Sequence, residues 1–345
     1  MPQLNQKLVT ICSKKWRDPC WVISIDQNNI IIALGSYSII HLFEFKSSKL
    51  KKVQTLFGHL DDITTLVFFN KKQQLISGSK DMQIIIWSLN LLSEPKKIQK
   101  LQGHLNYINC LILNRKEDLI ISGCSQIIFW TQLLNQQSIQ QQWVYSQQYQ
   151  SDKSIFGLSI NDDENQVIAC GENQEILIME QKYSNYWLIK QKIQIDEWGF
   201  RICFINNNLF VFQPIIECDF VCLGAKTLDV YTFNSLQNKY VKSGEIEIKG
   251  DCQSCYQYFP TLYNSRRGML IHKNGCHLKL IRVKQDSILL KEENIQYQFE
   301  LVEIINFGNS NGFGNLIGTL SNDGENLLIW DSNSKEINII KIIIQ

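Results

Sequence analysis

Short apolar runs recur along the whole chain, each bounded by Gly, Asn, Asp, Ser or Lys. The clearest set lies in 56–87. There, residues 63–69, 75–79 and 84–87 are largely β-branched or aromatic, and Asn70-Lys71-Lys72 and Lys80-Asp81 stand between them. Runs of this composition between turn residues predict antiparallel strands. Trp87 ends the third run. The same place is held elsewhere by Phe43, Trp130, Met179, Tyr231, Ile281 and Trp330. The first strands keep step, at 21–25, 63–69, 108–113, 155–160, 200–205, 254–259 and 301–307. Several are nearly continuous apolar runs, which predicts burial on both faces.

Seven such marks, 43 to 52 residues apart, predict an all-β chain. The period fits a seven-bladed β-propeller with four antiparallel strands per blade. The blades fall at about 20–57, 58–102, 103–150, 151–196, 197–249, 250–296 and 297–345, after an N-terminal segment 1–19 that packs on the closing blade. Within them, 260–268 reads as a long connection and 306–314 as a Gly-rich hairpin. An open propeller would leave sheet edges unpaired. Residues 336–344 are expected as the outer strand of the last blade, with 8–12 beside them or adding a fifth strand.

Gly58-His59, a strand, Ser77-Gly78-Ser79-Lys80-Asp81 and Ile84-Ile85-Ile86-Trp87 follow in an order that resembles a WD40 repeat. Weaker copies are Gly103-His104 with Ser122-Gly123-Cys124 and Trp130, and Ser321-Asn322-Asp323-Gly324 with Trp330-Asp331. Motifs carry the resemblance over about 56–130 and 320–331; between them it rests on period. The resemblance implies a hydrogen-bonded chain inside the blade through His59, Ser77 (or Ser79), Asp81 and Trp87. Partial counterparts are His104, Ser122 and Trp130, and Asp323 with Trp330. A buried carboxylate needs such donors, because leaving it unpaired costs ~1–3 kcal/mol or more. These residues therefore build the blade and do no chemistry. The third unit has a turn two residues shorter and no Asp, so its network must be wired differently.

The resemblance also implies a role: a non-enzymatic scaffold that binds other proteins, a monomer within a larger complex. Its rim is formed by the loops before the first strands and between the second and third. It would carry Arg17, Tyr37, Asp61, Lys80, Tyr107, Lys153, Glu172, Trp198 and Lys226. Exposed Trp, Tyr and Arg are the types that anchor partners. Alternatives in the same family are a targeting subunit of cytosolic iron–sulfur protein assembly and a substrate receptor of a ubiquitin ligase. Trp143-Val144-Tyr145 and Trp187-Leu188-Ile189 lack the Cys that the first group often carries in such places.

Composition narrows the picture. A net charge of +1 over 345 residues argues against a nucleic-acid or anionic-membrane surface. No run reaches the ~18 apolar residues of a membrane span, and residues 1–7 lack the apolar core of a signal peptide. Eleven scattered cysteines, among them Cys110, Cys170, Cys203 and Cys222 in apolar runs, read as reduced thiols of a cytoplasmic protein. Cys252-x-x-Cys255 with Cys276-His277 has zinc-like spacing but reads as packed thiols, so no metal and no cofactor are expected. There is no Gly-x-Ser-x-Gly, and the five histidines mostly fall at blade positions. A hydrolase reading therefore lacks its constellation. Residues 306–314 lack the Lys-Ser/Thr end of a phosphate loop. The basic patches Lys14-Lys15-Trp16-Arg17 and Arg266-Arg267 are small for nucleic-acid binding.

Overall fold

A computed structural model describes residues 6–90, 96–134, 141–183, 186–218, 221–248, 259–285, 297–308 and 316–344. Among them are only strands, turns and loops. In chain order, β1 (Gln6–Lys15) precedes blade 1, which is β2 (Val22–Ile25), β3 (Ile31–Ser36), β4 (Ile39–Lys46) and β5 (Lys49–Phe57). Blade 2 is β6 (Ile63–Phe68), β7 (Gln74–Ser79), β8 (Ile84–Ser88) and β9 (Lys96–Leu101). Blade 3 is β10 (Cys110–Leu113), β11 (Leu119–Gly123), β12 (Gln126–Leu134) and β13 (Gln141–Gln150). Blade 4 is β14 (Ile155–Ile160), β15 (Gln166–Gly171), β16 (Glu175–Gln181) and β17 (Trp187–Gln194). Blade 5 is β18 (Arg201–Asn206), β19 (Leu209–Gln213), then a two-stranded ribbon of β20 (Ile215–Cys218) and β21 (Val221–Gly224), then β22 (Thr227–Asn234) and β23 (Lys239–Glu247). Blade 6 is β24 (Leu262–Asn264), β25 (Met269–Asn274), β26 (His277–Gln285) and β27 (Tyr297–Asn306). Blade 7 is β28 (Leu316–Leu320), β29 (Asn326–Asp331) and β30 (Glu336–Ile344), completed by β1. The fold is a seven-bladed β-propeller of four-stranded antiparallel blades. The chain divides into two compact units, residues 1–158 with 316–345, and residues 159–315.

Burial within each blade follows from sheet position. The second strands are buried almost throughout, as in β3, β7, β11, β15 and β25. Several first strands alternate, as in β2 and β14. Burial of first strands on both faces, expected from their apolar runs, thus holds for β18 and not for these. The reason is that a first strand is a sheet edge, while a second strand has a neighbour on either side. Outer strands expose polar residues between half-buried ones, as β17 and β23 do.

The third-strand marks coincide with a structural event. In six blades the register between third and fourth strands shifts by one residue immediately before Phe43, Trp87, Trp130, Met179, Tyr231 and Ile281. Each shift is a bulge in the outer strand, which sharpens its twist. The seventh mark is different. Trp330 lies on β29, a second strand, and the corresponding shift in blade 7 falls at Ile340 on β30. The turn before β29 shows why. Ser321 Oγ accepts from Asn326 N–H and Gly324 N–H donates to Ser321 O, as in the turns at Asn114–Leu119 and Asn161–Gln166, which join first to second strands.

The last two blades are accordingly framed differently from the sequence reading. Residues expected as the first strand of the seventh blade, 301–307, lie largely in β27, paired to β26 as the outer strand of blade 6. The first strand of blade 6 is β24, inside the segment read as a connection. Most of 254–259 lies outside the described residues, as does 309–314. Blade 7 therefore needs a fourth strand, and β1 takes that place: Gln6 pairs with Ile344 and Lys15 with Glu336. β30 is the third strand, not the outer one, and among the described residues no fifth strand joins this sheet.

Candidate interaction rim

The rim of blades 1–3 is built on two buried networks. In blade 2, His59 Nδ1 lies 2.8 Å from Asp81 Oδ2 and His59 Nε2 lies 2.7 Å from Ser77 Oγ, which accepts from Trp87 Nε1–H at 2.8 Å. The connectivity assigns the protons: Ser77 Oγ–H donates to Nε2, and Nδ1–H to Asp81. Ser79 is not in this chain; its hydroxyl donates to Asp61 O and accepts from Asp81 N–H. Asp81 also accepts from Leu60 N–H at 2.9 Å and Gln83 N–H at 3.0 Å. Burial works to raise the Asp81 carboxyl, but the hydrogen bonds from His59, Leu60 and Gln83 outweigh it and hold it below its ordinary value. Gly58 makes room for this arrangement. A Cβ there would fall 2.8 Å from the Trp87 ring.

Ser77, His59 and Asp81 have the connectivity of a serine-nucleophile relay. Their environment is the wrong one for it. Ser77 is fully buried, and its oxygen already receives the indole N–H. Nothing can be attacked from there, and the chain works as a brace.

Blade 3 repeats the brace with one exchange. His104 Nε2 meets Ser122 Oγ at 2.6 Å, and Trp130 Nε1–H donates to the same oxygen at 2.9 Å. Where blade 2 has a carboxylate, His104 Nδ1 meets Cys124 Sγ at 3.0 Å, and Gln126 Oε1 receives the Leu105 N–H. Burial pushes the His104 imidazole down to about 4. Asp323 and Trp330 form no such chain. Asp323 sits in the turn between first and second strands, where Oδ1 accepts from Ser321 Oγ–H and Oδ2 from Asn29 Nδ2–H. Trp330 Nε1–H donates to Trp16 O at 3.3 Å.

These braces fix the loops that surface. Ile63 N–H donates to Tyr37 O, Lys80 N–H to Asp62 O, and Ile108 N–H to Ser79 O. The turn between second and third strands of one blade is thereby tied to the loop that opens the next. Six of the exposed large apolar residues lie on this scaffold: Tyr37, Leu60 (84%), Met82, Leu105 (72%) and Tyr107, with Phe57 at the end of β5; others, such as Tyr183 and Leu236, lie on other blades. Met82 sits at φ 63°, a left-handed backbone that lifts it out of the turn.

Of the residues expected on the rim, Arg17, Tyr37, Asp61, Tyr107, Lys153, Glu172 and Lys226 are exposed. Lys80 is only partly so. Its ammonium bridges to Asp62 at 2.9 Å and lies 5.7 Å from the Trp21 ring centroid. Trp198 is half-buried, edge-on to Phe200. Leu60, Met82 and Leu105 were missed, because an apolar residue in a strand-rich chain reads as core. Their place beside Gly-His and in the tight turn is the signal that sets them apart.

Among the described residues no group of three or more His, Cys, Asp or Glu is placed to hold a metal ion. Cys252 and Cys255 lie outside those residues, and Cys276 is buried at the turn before β26. No helix of the described residues is long and apolar enough to cross a membrane.

Residues 50–88 match the WD domain, G-beta repeat. No curated protein matches the chain. The matched stretch is β5 to β8, with the complete brace of blade 2 at its centre.

Proposed function

We propose that this chain, a member of the WD40-repeat family, is a non-enzymatic scaffold that docks a protein partner on the rim of blades 1–3. The observation that carries the reading is the arc of Tyr37, Leu60, Met82, Leu105 and Tyr107. These are apolar side chains held outward on loops that buried hydrogen-bond networks keep rigid. Rigid apolar and aromatic anchors lose little entropy on binding, which is the property of interface hot spots. Asp61, Arg17 and Lys153 supply the polar surround.

The test is affinity purification of the tagged chain beside a Leu60→Asp, Leu105→Asp variant. Both sites are solvent-facing, so folding should persist and thermal unfolding should be unchanged. A partner retained by the parent and lost at least tenfold by the variant supports the rim of blades 1–3. Equal recovery of every partner by both proteins removes that rim from consideration.

A further inference from the structure

Two clasps join the outer strands of neighbouring blades, each at the residue that pairs with the position just before a third-strand mark. In blade 2 that residue is Gln99. Its amide donates to Trp143 O at 2.6 Å and accepts from Trp143 N–H at 2.9 Å, on the outer strand of blade 3. In blade 4 it is Gln191, which donates to Tyr240 O and accepts from Tyr240 N–H, both at 2.8 Å, on the outer strand of blade 5. Gln54 and Gln147 hold the same register position in blades 1 and 3. A primary carboxamide suits the task because one planar group offers a donor and an acceptor side by side.

In blade 5 the position is Gly244, opposite Val230 and one pair before the shift. Nothing lies within 4 Å of where its Cβ would be. The receiving residue on blade 6 is fixed by register. Trp143 and Tyr240 stand opposite Gln132 and Phe233, two positions beyond the marks of their blades; the same count leads to Phe299, opposite Val283. Val283 N–H donates to Gly268 O, just as Phe233 N–H donates to Asn208 O, in each case toward the second strand. The residue opposite therefore keeps its own N–H and C=O turned away from the third strand. Position 244 sends no side chain to meet them. A cavity of about 610 Å³ opens there instead, walled by Val230, Phe233, Val241, Ile246, Tyr297 and Phe299. That volume is in the range of small-ligand sites.

We infer that this slot between β23 and β27 binds a primary carboxamide on an apolar stem, supplied as a glutamine side chain by an extended segment of a partner protein. The incoming amide takes the place that Gln99 and Gln191 fill elsewhere, bonding the Phe299 N–H and C=O while its stem lies over Gly244 against Phe233 and Tyr297. The site involves residues 159–315 alone and stands independently of the rim of blades 1–3.

The experiment uses hydrocinnamamide as the probe and hydrocinnamate as its control, titrated into the full chain and followed by calorimetry and by the backbone amide resonance of Phe299. The amide should bind with a Kd on the order of 1 mM, as befits so small a ligand, and shift that resonance. The carboxylate, which cannot donate to the Phe299 carbonyl, should bind at least tenfold more weakly. Gly244→Gln should build the clasp within the chain, raise Tm and abolish amide binding. Gly244→Ala, which adds bulk without an amide, should change binding by less than threefold. Equal binding of amide and carboxylate, unchanged binding by Gly244→Gln, a lowered Tm in that variant, or no amide binding to the parent would each overturn the assignment.

Discussion

Ser77 Oγ receives a proton from Trp87 and gives one to His59, so a single atom ties a strand to a loop. Ser77→Ala would leave two buried ring nitrogens without a partner, and should cost ~1–3 kcal/mol in urea unfolding. Ser122→Ala should behave alike. Cys124→Ser, which keeps a donor and acceptor where the sulfur was, should cost less than ~1 kcal/mol. Asp81 adds a pH signature. Its folded pKa is depressed by its hydrogen bonds, so its contribution is fully present above the unfolded value of about 4 and is lost as pH falls through the lower, folded value. The stability gap between parent and Asp81→Asn should therefore be constant from neutral to mildly acidic pH and close in strong acid. A gap that widens in strong acid would show that the carboxylate is not held as described.

At the scale of elements, the Gln clasp predicts that Gln99→Ala weakens the join between β9 and β13. Its loss frees one buried-edge N–H and one C=O on Trp143, a cost of roughly 1–3 kcal/mol, and faster amide exchange at Trp143 than at the residues beside it. The clasp was not legible in advance. Gln54, Gln99, Gln147, Gln191 and Gly244 fall 11, 12, 17, 12 and 13 residues after the marks of their blades, because the hairpins between differ in length, and only the strand register brings them into one column. The marks themselves were readable because each is a large apolar residue in a short apolar run that recurs at a near-constant spacing. Blade 7 misled for a physical reason. Trp330-Asp331 mimics the end of a third strand, but Trp330 is fixed by its bond to Trp16 O, and the strand that pairs with β26 comes so late in the chain that it reads as the start of the next unit. In the brace of blade 3, His104, Ser122 and Trp130 were readable, and the fourth member was not, because a two-residue shorter turn puts Cys124 where Asp stands in blade 2. The fold was thus visible from spacing, and the rim only from residue type, since exposure of Leu60 and Leu105 depends on what lies under them.

For the molecule as a whole, buried imidazoles set the response to mild acid. Burial, with Lys52 nearby, pushes His41 down to about 4; burial alone does the same for His104, and His272 is lowered well below its ordinary value. In the unfolded chain these groups take up a proton below about 6.5, whereas folded His41 and His104 do not until about 4, and burial holds His272 neutral well below its ordinary value. The unfolded state binds more protons in that window, so stability falls as pH drops through it. The urea midpoint should decline between neutral pH and pH of about 4.5, before the carboxylates titrate, and His41→Gln should flatten the decline. A flat profile would place these imidazoles in contact with water.

The strand that completes blade 7 has a consequence for synthesis. Of the described strands, β1 leaves the ribosome before all the others and its partner β30 after them. At usual elongation rates it waits on the order of tens of seconds for that partner. Throughout, Leu8, Val9, Ile11 and Cys12 form a nascent apolar strand whose edges are open to any other chain. Lys7 at one end and Lys14 and Lys15 at the other bracket that stretch, and charges in such places discourage pairing with a like neighbour. The same lysine later has a second use: once Glu336 is made, Lys15 closes on it at 3.0 Å, and the guard of the waiting strand becomes its latch.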